Sequence, residues 1–140
     1  MTWLAPVCAA AALSLCCTAG LFGAASAVHA ASQPAANPQA VEGKKRYAEK
    51  CARCHGPEAD GIEHAPALKG DVFRAEWNGK AARELYKRII STMPQDDPGS
   101  LPEADVIQIT TFVVSLNNAS IPAVQHANDL NTIRLDLVRH

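Results

Sequence analysis

The chain has 140 residues, 48% of them hydrophobic and 19% charged, which is the size of one small globular domain and too apolar for a disordered chain. Its 13 Lys and Arg stand against 14 Asp and Glu, a near-neutral balance that gives no reason to expect nucleic acid or another polyanion as partner. Docking to any partner must rely on local patches.

Residues 1–30 contain no Asp, Glu, Lys or Arg and end in Val28-His29-Ala30, whose residues at 28 and 30 fit a signal-peptidase site. The segment is therefore predicted to be an export signal. Cleavage after Ala30 removes Cys8, Cys16 and Cys17 and leaves Cys51 and Cys54. The same uncharged run is long enough to span a bilayer as a helix, so an uncleaved anchor is the alternative, weakened by Pro6, Gly20 and Gly23. A lipoprotein is disfavoured because Leu15 stands before Cys16 where a small residue is wanted. Residues 31–40, with two prolines and no apolar periodicity, read as a linker.

From Val41 onwards a short helix is predicted, with Gly43, Tyr47 and Cys51 recurring every four residues along one face. Residues 56–79 hold Gly56, Pro57, Gly61, Pro66, Gly70 and Gly79, and are predicted to be a loop with short turns. A second helix is predicted over about Lys80 to Ser91, with Leu85, Ile89 and Ile90 on its apolar stripe and Pro94 as its stop. Ser100-Leu101-Pro102-Glu103 reads as an N-cap, a first-turn proline and a capping-box glutamate, opening a third helix that runs to about Asn117. Its stripe is Val106, Ile109, Phe112, Val113 and Leu116; the β-branched content makes strand the runner-up. Residues 118–140 carry Ile121, Leu130, Ile133, Leu135 and Leu137 and are expected to wrap back over a domain spanning 41–117.

Cys51-Ala52-Arg53-Cys54-His55 matches the C-x-x-C-H haem-attachment pattern, in which two thiols one helical turn apart meet the haem vinyl groups and the adjacent histidine binds iron. A disulfide redox pair and half a zinc site use the same two cysteines. Zinc would need further ligands, and no second Cys pair is present, while His64, His126 and His140 lack finger-like spacing. A thioredoxin-like motif belongs in an α/β pattern, and no convincing strands are seen. With His55 as proximal ligand, a low-spin carrier needs a second strong axial ligand. Met93, directly before Pro94 and the only methionine beyond residue 1, is the candidate; a core methionine is the competing reading. A thioether is soft and neutral and favours ferrous iron, raising the reduction potential.

Taken together, Gly43, Tyr47, Cys51 to Gly56, Pro66-Ala67-Leu68-Lys69-Gly70, Met93-Pro94 and the helix bearing Ile109 and Phe112 resemble a class I cytochrome c. The resemblance runs from about Gly43 to Leu116. It implies an all-α fold of three main helices and loops wrapped around one covalently bound haem c. It also implies that the first and last helices cross at right angles, with Gly43 allowing close approach and Tyr47 packing near Ile109 and Phe112. In such a fold the Pro66 carbonyl accepts a hydrogen bond from the His55 ring. Trp77 lies where relatives often place a group near a haem propionate. Glu63 and His64 depart from the pattern, standing where many relatives have glycine, and His64 reads as a solvated loop residue.

These readings make the chain an electron-transfer protein and not an enzyme: a periplasmic one-electron carrier. Its Met-Pro stretch and Ile-Pro-rich tail are similar to small cytochromes that accept electrons from periplasmic dehydrogenases. The expected partners are such a dehydrogenase as donor and an oxidase or another cytochrome as acceptor, with a membrane involved only if residues 1–30 stay attached. A tightly bound cytochrome subunit of a dehydrogenase complex, with residues 118–140 as its strap, is one alternative; a ligand-binding haem sensor is another. Lys44, Lys45, Arg46, Lys50 and Arg53 form a basic group that would steer a partner.

Overall fold

The computed structural model describes residues 37–137; the export-signal reading of 1–30 and its anchor alternative fall outside them. Five α-helices and one 3₁₀ turn make up the regular structure of those residues: α1 (Pro38–Lys50), α2 (Ala52–His55), α3 (Gly70–Trp77), α4 (Ala82–Thr92), α5 (Glu103–Ser115) and the 3₁₀ turn Ala127–Asn131. No strand occurs among them, only isolated bridges between Ile62 and Ala65 and between Ala81 and Arg134. The architecture is all-α.

The first helix starts at Pro38, ahead of the expected Val41, inside the stretch read as linker. Proline suits the first turn because its missing N–H is one that no helix could satisfy. Asn37 caps the helix by accepting the Gln39 N–H at 2.9 Å. The α1 face carrying Gly43 and Tyr47 is buried and packs on α5. A Cβ on Gly43 would lie 1.9 Å from the Gln108 carbonyl oxygen and 2.9 Å from the Phe112 Cβ, so only glycine permits this approach. Tyr47, 2% exposed, sets its ring 5.4 Å from that of Phe112.

Gly43→Ala is therefore expected to destabilise the domain by about 3 kcal/mol or more, at or above the ordinary overpacking cost, because the clash is with backbone rather than a movable side chain. Chemical denaturation checks it, and a loss under 1 kcal/mol would mean the helices separate easily.

Residues 70–77, expected as loop, form α3. The breakers Gly70 and Gly79 bound this segment and do not interrupt it, and Phe73 and Trp77 stand four apart on one face with ring centroids 6.1 Å apart. Helix α4 begins at Ala82 and ends at Thr92, and Met93 occupies its C-cap with its N–H bonded to the Ile89 carbonyl at 2.9 Å.

The capping role expected of Ser100 and Glu103 is corrected. Helix α5 begins at Glu103 with Pro102 at the N-cap and no side-chain cap. The Glu103 carboxylate instead accepts the Ala127 N–H at 2.7 Å. Within α5 the β-branched residues are helical, not extended, and the buried Thr110 and Thr111 satisfy their hydroxyls on the carbonyls of Val106 and Ile107.

The chain beyond α5 lies against the domain. Ile121, Leu130, Leu135 and Leu137 are each under 5% exposed. Their backbone is tied down at both ends. Asn37 Nδ2 donates to the Ile121 carbonyl at 2.6 Å, and the Gln39 side chain both donates to and accepts from Val124. Further on, Gly79 N–H bonds the Leu135 carbonyl at 2.7 Å and Leu135 N–H returns to the Lys80 carbonyl at 2.9 Å.

Candidate functional site

Cys51 closes α1 and opens α2, so the C-x-x-C-H segment forms one tight helical turn. The N–H groups of Cys54 and His55 both bond the Cys51 carbonyl, at 3.0 and 2.9 Å. This turn is clamped from two directions. The Tyr47 hydroxyl donates to the Gly56 carbonyl at 2.6 Å, and Gly61 N–H bonds the His55 carbonyl at 2.9 Å. Burial, with smaller contributions from Cys51, Asp60 and Glu58, pushes the Tyr47 hydroxyl up to about 12, so it stays a proton donor at any physiological pH. Gly61 has φ +79, and a Cβ there would lie 2.6 Å from the Ala67 nitrogen, which fixes glycine at the return of the loop.

The structure brings Cys51, Cys54, His55, Pro66, Trp77 and Met93 to the wall of one cavity of about 960 Å³, at the upper end of the size of small-molecule and cofactor sites. The rest of the wall is mainly apolar. Leu68 and Phe73 line it, Leu85 and Ile89 come from α4, and Ile109 and Val113 from α5. His55 is 8% exposed, and its Nδ1 lies 2.9 Å from the Pro66 carbonyl oxygen. A carbonyl only accepts, so Nδ1 is the protonated nitrogen and Nε2 is the one left for a metal.

Cys51 and Cys54 are not joined in a disulfide. Burial, then the neighbouring Cys54, pushes the Cys51 thiol up to about 11, the opposite of the lowered value that marks a thiol-disulfide catalyst. No group of three or more His, Cys, Asp or Glu side chains suited to a metal ion occurs among the described residues, so a zinc site has no ligand set there. The residues do fit a covalent haem: two thiols, an imidazole with a committed Nδ1, a thioether at the end of α4, and mainly apolar walls, all lining one cavity.

The rim is polar. Arg53, inside the Cys motif, donates to Asp96 in the loop after Met93 at 2.5 Å, and this hydrogen bond holds the Asp96 carboxyl below the usual carboxylate range. Both side chains are exposed, so the pair organises the rim more than it stabilises the fold. Trp77 sits under Lys80, whose Nζ is 4.8 Å from the ring centroid. His64 lies on the rim with its side chain 95% exposed, 3.6 Å from Glu63.

The basic group that the sequence suggested for steering is largely neutralised. Lys45 pairs with Glu42, Arg46 with Glu49 and Asp105, and Arg53 with Asp96. Only Lys44 and Lys50 of the five show no ion pair among the described residues.

Sequence reasoning gave no role to Asn117. This side chain, 0% exposed, bonds Leu68 on the cavity wall and Gly70 at the start of α3. The one signal available was an amide at the end of an apolar helix.

A solved structure, the sulfane dehydrogenase SoxCD from Paracoccus pantotrophus, matches with a TM-score of 0.53 and 21% identity, covering 69% of this chain and 52% of that one. The shared feature there is the fold. A curated relative, the Cbb3-type cytochrome c oxidase subunit CcoP of Azospirillum sp. (strain B510), is 31% identical over 97 residues, covering 58% of this chain and 32% of the relative. The chain thus spans about a third of the curated relative and about half of the solved chain. Residues 38–113, from the first turn of α1 to the cavity-lining Val113, match the family described as cytochrome c oxidase, cbb3-type, subunit III, and the chain belongs to that family of c-type cytochromes with covalently attached haem c.

Proposed function

We propose that the protein is a one-electron carrier in which Cys51 and Cys54 hold the haem through thioethers and His55 and Met93 are its axial ligands. When bound, the haem supplies a reversible ferric–ferrous couple. The observation that carries the reading is the 2.9 Å contact between His55 Nδ1 and the Pro66 carbonyl, in a cavity that Met93 also lines.

The surrounding residues keep the ligands where they are in both oxidation states. His55 is fixed by its short helix, by Pro66 and by the Gly61 bond to its carbonyl. Met93 is fixed by the end of α4. Ile109, Val113, Leu85 and Phe73 exclude water from the apolar side, which favours the neutral thioether and a relatively positive potential. Trp77 at the mouth of the cavity is a candidate donor to a propionate.

The carrier would work in the periplasm after export through residues 1–30, taking electrons from a periplasmic dehydrogenase and passing them towards a respiratory acceptor. No helix among the described residues is long and apolar enough to cross a membrane. A second reading, a cytochrome subunit held permanently in an oxidase or dehydrogenase complex, draws support from the relatives, an oxidase subunit and a dehydrogenase.

The test is the optical spectrum of the haem-loaded protein, oxidised and reduced, with and without carbon monoxide. A low-spin spectrum, a far-red methionine-to-iron band in the ferric form and no response to carbon monoxide are expected. A carbon monoxide-reactive spectrum would reject Met93 as ligand and favour a haem sensor. Co-purification with a large enzyme through several columns would favour the subunit reading.

A further inference from the structure

We propose that Asn117 is a positioning residue for His55, acting through the Pro66-to-Gly70 segment to set the orientation and basicity of the imidazole. The proposal rests on His55 being an axial ligand.

Asn117 follows the end of α5 and is wholly buried. Its Nδ2 donates to the Leu68 carbonyl and to the Val113 carbonyl, each at 3.0 Å, and its Oδ1 accepts the Gly70 N–H at 3.1 Å. Both amide protons and the carbonyl oxygen are thus used. Two of these bonds cross 49 and 47 residues of sequence to reach one short segment.

That segment needs outside support. Pro66 has no N–H of its own with which to anchor the residue whose carbonyl holds His55. Leu68 N–H bonds the Ala59 carbonyl at 2.9 Å, which secures one side. Asn117 secures the other, at Leu68 and at Gly70, where α3 begins with φ +83. Val113, its third partner, lines the cavity from α5. One amide therefore ties together the helix behind the haem cavity, the loop that orients the imidazole, and the start of the helix carrying Phe73 and Trp77.

No smaller change to the side chain preserves this. Leucine has a similar size and no polar atoms, serine is too short to span both partners, and aspartate lacks the two donors. A carbonyl that holds the imidazole N–H raises ligand basicity and favours ferric iron. Loosening that carbonyl must shift the potential upwards and expose the ring N–H to exchange.

The experiment compares Asn117→Leu, Asn117→Ser and Thr110→Val in the haem-loaded full chain. Thr110→Val removes a different buried hydrogen bond from the same helix. The readouts are the reduction potential and, in the ferrous protein, exchange of the His55 ring N–H followed by NMR. Both Asn117 variants are expected to raise the potential and to speed ring N–H exchange by about tenfold or more as the segment opens locally. Thr110→Val is expected to lower thermal stability and leave both readouts unchanged.

Asn117 variants that lose only thermal stability, with wild-type potential and exchange, would overturn the proposal. So would a Thr110→Val variant that shifts both readouts as far as they do. If Asn117→Leu does not fold, Asn117→Ser carries the same comparison, since a water can occupy the polar space left behind. Failure of the ligand reading is seen separately, in the unsubstituted chain, as a carbon monoxide-reactive spectrum.

Discussion

Met93→Ala is expected to retain covalently attached haem, lose the far-red ferric band, bind carbon monoxide in the ferrous state, and lower the reduction potential by roughly 0.1–0.3 V, a fraction of the ~0.8 V that axial ligands span. The direction follows from ligand chemistry. A soft, neutral thioether favours ferrous iron, and its removal leaves water or nothing in its place. The fold should survive, because Met93 is only half-buried and α4 ends there through a backbone bond to Ile89. Covalent attachment depends on Cys51 and Cys54, which the substitution leaves untouched. Met93→His provides the second arm: it restores a strong ligand, so carbon monoxide reactivity should disappear while the potential stays below wild type. A potential and spectrum unchanged in Met93→Ala would show that another side chain holds the iron, with the rim residue His64 the first to replace.

What the sequence made legible was the part of the site whose chemistry is local. Two thiols and a histidine within one helical turn make up the haem-attachment motif and are read directly from the sequence; the solitary methionine before a proline was a candidate ligand there, and in the structure it lines the same cavity. The spacing of Gly43 and Tyr47 gave only the helix face they share; that this face meets α5 closely was an expectation carried by the resemblance to class I cytochromes c. Helix α3 was obscured because Gly70 and Gly79 were read as breakers of a single region. In the structure they are its borders, and the eight residues between them contain neither Gly nor Pro. The signal was there in Phe73 and Trp77.

The remaining misreadings share a cause. Glu103 occupies a capping-box position by local rules, yet its carboxylate serves Ala127, 24 residues away. Asn117 looks like a helix end and bonds a loop nearly fifty residues back. Both are polar side chains near a helix terminus, where a local partner and a distant one compete. Periodicity and capping rules see only the local one.

The tail separates the two functional readings in physical terms. As a strap for a partner enzyme, residues 118–140 would need apolar side chains left over for that partner. The described ones are largely consumed: Ile121, Leu130, Leu135 and Leu137 are buried in their own domain, Ile133 is partly buried against it, and Arg83 on α4 bonds Asn128 at 2.9 Å. A subunit contact, if one exists, has to use another face, such as the cavity rim that carries Arg53, Asp96 and Lys50.

Ending the chain after Asn118 is accordingly expected to abolish folding of the cytochrome rather than release it from a partner. Burying each large apolar side chain contributes about 1.5–3 kcal/mol, and four of them together rival the roughly 5–15 kcal/mol by which a domain of this size is stable. The loss extends further, because the deletion strips the acceptors of Asn37 Nδ2 and Gln39 Nε2 at the start of α1 and the partners of Gly79 and Lys80 beside Trp77. Leu130→Ala, at a side chain with 0% exposure, gives the graded version. It should cost about 2–5 kcal/mol in denaturant unfolding while leaving the reduction potential and the carbon monoxide response at wild-type values, since Leu130 is not on the cavity wall. A truncated chain that still folds, takes up haem and shows the full-length potential would mean that the tail adds nothing to the domain. The strap reading would then regain its ground.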